Sequence, residues 1–260
     1  MPLIEIEKLD GVAVLTLQNP PANTYSYQMM TELDAAILDA RFDDDVHVIV
    51  LRGAGERFFC AGADIGMLDA VTPGFKYNFC LHANETLLRL EHSAKLVIAV
   101  INGHAVGGGL EVAMAADIRI AKAGAGKVGL PEVHLGVLPG TGGTQRLARI
   151  VGKSKAIELM VQGQNLSVED AAELGLINQV LPAEGFWEAA MSYARQFVPP
   201  GRASMAVGCI KRSVQSGADL SLEAGLALER ELQQRLFLSE DAKEGIGAYA
   251  EKRKSVFKGR

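Results

Sequence analysis

The sequence has few cysteines, and their spacing matches neither a disulfide framework nor a common metal motif. Cys60, Cys80 and Cys209 are dispersed and include no Cys-x-x-Cys pair. An odd, scattered set of thiols is typical of proteins in a reducing compartment, so we predict a cytoplasmic location. Because no base is tied to Cys60 by spacing, we interpret it as a buried, inert thiol rather than a nucleophile.

Long apolar runs and an excess of basic residues are also missing. No stretch approaches the roughly 18 uninterrupted apolar residues of a membrane-spanning helix. Residues 1–5 lack the basic start and apolar run of a secretory signal. The formal net charge is −5, whereas nucleic-acid binders usually carry a basic face; a local one could exist, for instance at Lys252, Arg253 and Lys254. We therefore expect no membrane segment, no secretory signal and no nucleic-acid partner.

Apolar residues and glycines are plentiful by comparison. Of 260 residues, 48% are hydrophobic and 22% are charged, and the 28 glycines cluster rather than repeat. This composition predicts a globular chain with a large core and with tight backbone turns gathered at a site.

The first half of the chain alternates strand and helix patterns. Residues 3–9 and 12–17 predict a hairpin across Asp10-Gly11. Strands are predicted at residues 46–52, 96–101, 118–121 and 127–129, and helices at 28–42, 76–90 and 111–116. Strand, glycine-rich turn and helix recur, so we predict an α/β fold built from repeated β-β-α units.

After Gly152 the pattern becomes mainly helical. Ser167 and Asp170 resemble an N-terminal capping arrangement. Helices are predicted for residues 154–161, 167–174, 185–197, 203–213, 220–238 and 241–253. We place a boundary near residue 200, which gives a core of residues 1–200 and a helical C-terminal region of residues 201–260.

Two glutamates in glycine-rich settings are the main candidates for chemistry. Glu111 follows Gly107-Gly108-Gly109-Leu110, and Glu132 follows Gly129-Leu130-Pro131. Few charges surround them, so each carboxyl is expected in a low-dielectric pocket, where it can act as an acid or a base. Taken singly, Glu111 could instead be a carboxylate that favours a helix N-terminus, and Glu132 an exposed loop acid.

Other types of site have less support. Residues 58–65 could form a plain tight turn or a close approach to a ligand. Neither residues 107–109 nor residues 139–144 form a phosphate-binding motif with its lysine. His104 and His134 flank the glutamates without metal-ligand spacing, so we interpret them as packing or supporting groups and predict no metal site. No Gly-x-Ser-x-Gly motif supports a serine hydrolase.

Taken together, several stretches resemble the enoyl-CoA hydratase/isomerase family, also called the crotonase family. The resemblance covers nearly the whole chain, and the matching residues are 59–65, 102–111, 129–147, 244–245 and 251–254. It implies a crotonase-like spiral of β-β-α units over residues 1–200. It also implies that residues 201–260 mediate trimers, which commonly pair into hexamers.

The resemblance also implies roles for single residues. The backbone N–H groups of Ala63 and Gly108 match the oxyanion hole that holds a thioester carbonyl. Glu111 matches the residue that activates water for attack at C3, and Glu132 matches the residue that exchanges a proton with C2. Removing one oxyanion donor typically raises a barrier by about 2.7–4 kcal/mol.

Further positions match contacts to the substrate or its coenzyme A, the last two often lent by a neighbouring subunit: Ala61, Asp64, Ile65, Pro131, Gly140, Tyr249 and Lys252. Because coenzyme A arrives as part of the substrate, no separate cofactor is implied. We expect helix 76–90, Met67 and Leu68 to line the acyl pocket. Gly66 departs from the lysine that many members have there, so one contact to coenzyme A is in doubt.

These features predict an enzyme that reversibly hydrates 2-enoyl-CoA thioesters to 3-hydroxyacyl-CoA. Another crotonase reaction, such as isomerisation or decarboxylation, is the first alternative. A non-catalytic member that binds coenzyme A or RNA is the second, and both glutamates and the acidic balance argue against it. The sequence leaves the acyl group open.

Overall fold

The structure is a computed structural model and describes residues 2–260. The strands of this part are β1 (Ile4–Leu9), β2 (Val12–Leu17), β3 (Val48–Gly53), β4 (Phe58–Cys60), β5 (Leu96–Ile101), β6 (His104–Val106), β7 (Ile118–Lys122), β8 (Lys127–Gly129), β9 (Asn165–Ser167) and β10 (Gln179–Leu181). The α-helices are α1 (Tyr27–Phe42), α2 (Ile65–Ala70), α3 (Pro73–Glu91), α4 (Gly108–Met114), α5 (Gly143–Val151), α6 (Lys153–Gln162), α7 (Val168–Glu173), α8 (Phe186–Arg195), α9 (Ser204–Gly217), α10 (Leu222–Phe237) and α11 (Glu240–Ala250). A 3-10 helix covers Glu132–Leu135.

The strands form two sheets. The larger sheet has the order β1-β2-β3-β5-β7-β10, and the smaller has the order β4-β6-β8-β9. β1 and β2 are antiparallel, as the predicted hairpin requires, and β3, β5, β7 and β10 add to them in parallel. In the smaller sheet β4, β6 and β8 are parallel neighbours, and β9 closes it in the antiparallel sense.

Successive units of the chain contribute one strand to each sheet. β3, β5 and β7 lie in the larger sheet, and β4, β6 and β8, which follow them in sequence, lie in the smaller one. Helices return the chain from the smaller sheet to the larger, with α3 after β4 and α4 after β6. The chain therefore advances as a spiral of β-β-α units, and the predicted α/β fold class is confirmed.

The helices and strands bury apolar faces between these layers. α1 buries the six residues that its 3.6-residue period predicts, each at most 2% exposed: Met29, Met30, Leu33, Ala36, Ile37 and Ala40. β5, with both faces covered, is a continuous apolar run that is buried along its whole length. Ser167 accepts a hydrogen bond from the backbone N–H of Asp170 at 3.0 Å, which confirms the predicted cap of α7.

Some predicted boundaries were wrong where glycines decide the structure. The helix expected to begin at Glu111 begins at Gly108, because Gly107 turns the chain with φ +56° and leads straight into α4. A Cβ at Gly109 would collide with the carbonyl of Cys60, so this turn needs glycine. α5 was missed because it begins inside a glycine-rich run, with φ +102° at Gly142.

The C-terminal region consists of α9, α10 and α11. α9 continues to Gly217, four residues beyond its predicted end, and α11 ends at Ala250, three residues before its predicted end. The division of the chain near residue 200 stays a prediction. Across residues 2–260, the structure contains no helix that is both long and apolar enough to cross a membrane.

Candidate active site

Three neighbouring strands of the smaller sheet end at one place. Because β4, β6 and β8 are parallel, their carboxyl ends meet at the same edge, where ligands of such sheets commonly bind. Ala63 follows β4, Gly108 follows β6, and Glu132 follows β8. The N–H of Gly107 donates to the carbonyl of Gly129 at 2.8 Å and holds the carboxyl ends of β6 and β8 together.

A cavity of about 460 Å³ opens at this edge. Glu111, Glu132, Ala63 and Gly108 all line it, so the structure brings together the four residues for which the sequence implies chemistry. Four of the residues predicted to contact the substrate line it as well: Ala61, Ile65, Pro131 and Gly140. Much of the remaining wall is apolar and includes Leu68, Leu135, Val137 and Leu138.

The two proposed oxyanion donors lie on segments that touch. Gly62 has φ +89°, and a Cβ at this position would lie 3.1 Å from the backbone nitrogen of Gly108. Only glycine therefore allows the segment after β4 to lie this close to the start of α4. Within residues 2–260, neither the N–H of Ala63 nor that of Gly108 donates a hydrogen bond to protein. Both groups remain available to an oxygen in the cavity.

Glu111 is almost completely buried, at 2% exposed, and hydrogen bonds fix its carboxylate. Its Oε1 accepts hydrogen bonds from the backbone N–H groups of Thr141 at 2.7 Å and of Gly143 at 2.6 Å. Burial raises the pKa of this carboxyl, and the two backbone bonds and the charge of Arg146 oppose the rise. The carboxylate therefore has a fixed direction and a strengthened affinity for a proton, as a base for water requires.

Glu132 is half-buried at the start of the 3-10 helix. Its Oε2 is buried and has no hydrogen-bond partner within residues 2–260. Burial, together with the charge of Glu111, raises the pKa of Glu132 to about 7, although its own backbone N–H and Lys76 act in the opposite direction. A carboxyl with this pKa can both give and take a proton near neutral pH.

Lys76 lies in the wall of the same cavity, and its positive charge lowers the pKa of Glu132. We expect Lys76→Met to raise the pKa of Glu132 further, because the favourable charge is removed while the burial remains. The pH profile of activity should then shift to higher pH. Lys76→Arg is the matched control, since it keeps the charge and should leave the profile in place. An unshifted profile in Lys76→Met would show that Lys76 does not act on Glu132.

A partly buried ion pair secures the loop that holds Glu111. Arg146 on α5 pairs with Glu91 on α3 through two bonds, of 2.8 and 2.7 Å, and also donates to the carbonyl of Thr141 at 3.0 Å. This bidentate pairing fixes the loop that presents the N–H groups of Thr141 and Gly143. The role of this pair was not predicted from the sequence, although the charged Arg146 next to a glycine-rich run was a usable signal.

The comparison with known families agrees with this geometry. A family model described as enoyl-CoA hydratase/isomerase matches residues 7–260. The chain belongs to the enoyl-CoA hydratase/isomerase family.

Family members in several bacteria are similar along nearly their whole length. A probable enoyl-CoA hydratase of Bacillus subtilis is 42% identical over 250 residues, which cover 95% of each chain. A short-chain-enoyl-CoA hydratase of Clostridium acetobutylicum is 38% identical, over 96% of this chain and 95% of the relative. The crystal structure of an enoyl-CoA hydratase from Geobacillus kaustophilus is 43% identical, has a TM-score of 0.97, and covers 100% of this chain and 98% of its own.

Three residues with predicted contacts to coenzyme A do not line the cavity. Asp64 caps α2 by accepting a hydrogen bond from the N–H of Met67 at 2.7 Å. Tyr249 is 88% exposed at the end of α11, and the exposed Lys252 follows it with φ +55°. Their roles in this enoyl-CoA hydratase/isomerase family member stay predictions. Met67, expected in the acyl pocket, packs against the core, whereas Leu68 lines the cavity.

The histidines and Cys60 have local explanations. The Nδ1 of His104 accepts a hydrogen bond from the N–H of Lys127 at 3.0 Å, while His134 lies at the cavity wall. Burial raises the pKa of the Cys60 thiol to about 12, so this thiol stays protonated and unreactive. Across residues 2–260, no group of three or more His, Cys, Asp or Glu side chains is placed to hold a metal ion.

Proposed function

We infer that the protein is an enoyl-CoA hydratase that adds water reversibly to 2-enoyl-CoA thioesters to give 3-hydroxyacyl-CoA. The observation that carries this proposal is the pairing of two carboxyls with two unused backbone donors in one cavity. Relatives support it: that of Escherichia coli, 35% identical over 98% of each chain, is named 2,3-dehydroadipyl-CoA hydratase.

The proposed reaction distributes three tasks among these groups. The N–H groups of Ala63 and Gly108 hold the thioester oxygen and stabilise the negative charge that develops there. Glu111, fixed by Thr141 and Gly143, orients the water and takes a proton from it as it attacks C3. Glu132 gives a proton to C2. The chemistry needs no metal or redox cofactor, because coenzyme A arrives in the substrate.

Retention of both carboxyls favours hydration over the other reactions of the family. Isomerisation moves a proton within the substrate and can proceed with the Glu132-type residue alone, whereas water addition uses a second group to activate water. The direct test is an activity screen with crotonyl-CoA, longer enoyl-CoAs and 3-methylglutaconyl-CoA, followed by the loss of enoyl absorbance. No loss with any of them would contradict the proposal.

The pH dependence follows from the proposed roles. Hydration requires Glu132 as the acid, and its pKa is about 7, so we expect kcat/KM to fall as pH rises through about 7. Dehydration requires the proton on Glu111 instead, so in both directions Glu111 and Glu132 together carry one proton. The pH profiles of kcat/KM for hydration and dehydration should therefore fall over the same alkaline range. Initial rates measured in both directions across this range test this. A hydration rate that stays constant through about pH 7 would contradict the role of Glu132.

We also propose that the protein assembles as a trimer or a dimer of trimers and works in the cytoplasm. Large apolar side chains of the C-terminal region are exposed in the single chain, including Leu222 at 80%, Leu238 at 77% and Tyr249 at 88%. Such side chains are typical of a surface that a second subunit covers. The three cysteines are free thiols, which supports a reducing compartment.

A further inference from the structure

Tyr25 lies at the cavity and has no role in the proposed reaction so far. It precedes α1, lines the cavity, and is 3% exposed. A tyrosine buried this deeply normally needs a partner for its hydroxyl group. Its ring packs 5.9 Å from that of Phe79 on α3, so the side chain is fixed by packing as well as by polar contacts.

The backbone of Tyr25 orients one of the two proposed oxyanion donors. Its N–H donates to the carbonyl of Gly62 at 2.9 Å, and its carbonyl accepts from the N–H of Asp64 at 3.0 Å. Together these bonds make a parallel bridge between Tyr25 and Ala63. In such a bridge the bonds use the groups on either side of Ala63, so the N–H of Ala63 itself points away from Tyr25.

The side chain of Tyr25 lies against the second proposed donor. A Cβ at Gly108 would collide with the hydroxyl oxygen and the ring of Tyr25. The tyrosine therefore fills the space beside the first turn of α4, and Gly108 is the residue that admits it.

The hydroxyl group of Tyr25 contacts Thr141, which in turn contacts Glu111. Its oxygen is 2.9 Å from Oγ1 of Thr141, the residue whose N–H donates to Glu111. The backbone N–H of Thr141 donates to Oε1 of Glu111 at 2.7 Å, and this bond opposes the rise in the pKa of the carboxyl that burial causes. Burial, with the charge of Glu111, raises the pKa of Tyr25 well above its usual value, so the phenol stays protonated.

We propose that Tyr25 is a positioning residue for the water-activating Glu111: its hydroxyl group bonds to the hydroxyl group of Thr141 and so fixes the residue whose backbone N–H donates to the carboxylate. Because the backbone of the same residue orients Ala63, Tyr25 links the direction of the base to the direction of the oxyanion donor. The inference rests on the proposed hydratase function. An enzyme whose base is misdirected loses kcat while its KM changes little. This kinetic effect distinguishes the proposed role from simple core packing.

Four variants test this connection from Tyr25 through Thr141 to Glu111, with crotonyl-CoA as the substrate. Tyr25→Phe and Thr141→Val each remove one hydroxyl, and we expect kcat to fall about 10-fold with KM changed less than about 2-fold, as for one lost neutral hydrogen bond. The double variant should be no slower than the slower single variant, because either substitution alone already removes the bond between the two hydroxyl groups. Thr141→Ser keeps the hydroxyl and should restore the wild-type kcat. Tyr193→Phe, on α8 away from the cavity, is the matched control for loss of a phenol hydroxyl.

The titration of Glu111 provides a measurement that does not depend on turnover. Isotope-edited infrared spectra, with Glu111→Gln to identify the carboxyl band, should show a higher pKa for Glu111 in Thr141→Val than in wild type. Thr141→Ser should not shift it. If the wild type failed to hydrate any enoyl-CoA, the proposed function would fall, and this titration would still decide whether the contact between Tyr25 and Thr141 affects Glu111.

Two results would overturn the inference about Tyr25. The first is a kcat of Tyr25→Phe within about 2-fold of wild type in an enzyme that hydrates crotonyl-CoA, since one lost hydrogen bond is expected to cost more. The second is a pKa of Glu111 that Thr141→Val leaves unchanged. If the rate losses of the two single variants multiplied in the double variant, Tyr25 and Thr141 would act independently, which would also contradict the inference.

Discussion

Replacement of Glu132 by glutamine should lower kcat for hydration by about 10²–10⁴-fold, the usual contribution of a positioned acid or base. Glutamine has nearly the same shape but cannot deliver a proton to C2. The substitution should leave folding intact, because Oε2 of Glu132 has no partner within residues 2–260 that the change would leave unsatisfied. Hydration of crotonyl-CoA and the Tm of the variant measure the two effects separately.

Controls distinguish a lost acid from a damaged site. Glu173→Gln, at the exposed end of α7, makes the same chemical change away from the cavity and should keep full activity. Calorimetric binding of crotonyl-CoA to Glu132→Gln should match the wild type. Full activity of Glu132→Gln would show that the assignment of Glu132 is wrong. Glu111→Gln adds a comparison: loss of hydration with retained isomerisation would show that Glu111 serves water specifically.

The sequence was sufficient to predict the longer strands, many of the helices and the candidate carboxyls, because these depend on local patterns. The hairpin β1–β2 and the buried face of α1 follow from periods of 2 and 3.6 residues. The meeting of Ala63, Gly108 and Glu132 does not follow from spacing, since β4, β6 and β8 have only three residues each. It entered the prediction through the family resemblance alone.

The supporting residues could not be predicted, because their partners lie far along the chain. The hydroxyl groups of Tyr25 and Thr141 meet across 116 positions, and Arg146 reaches Glu91 across 55. α5 begins at Gly143 because tertiary contacts place its N–H on the carboxylate of Glu111, whereas the local run of glycines favours a loop. Such contacts form only once the spiral of β-β-α units has brought the segments together.

A more deeply buried ion pair connects α9 to the larger sheet. The Nζ of Lys211 lies 2.8 Å from Oδ2 of Asp117 and donates to the carbonyls of Leu90 and Lys95 at 2.9 and 3.0 Å. Asp117 also accepts from the N–H of Val97 on β5 at 2.7 Å. The side chains are only 3% and 11% exposed. Burial lowers the pKa of Lys211 and raises that of Asp117, so each charge depends on the other.

Lys211→Met should therefore lower the free energy of unfolding by about 3–5 kcal/mol, because it leaves the charge of Asp117 buried without its partner. The double variant Asp117→Asn with Lys211→Met should recover much of this loss, since no unpaired charge remains. Lys243→Met, at an exposed position on α11, is the matched control and should change stability little. Urea unfolding of the three variants measures the effect. If Lys211→Met were as stable as wild type, the pair would not hold α9 on the sheet, and the packing of the C-terminal region would have to depend on its apolar contacts alone.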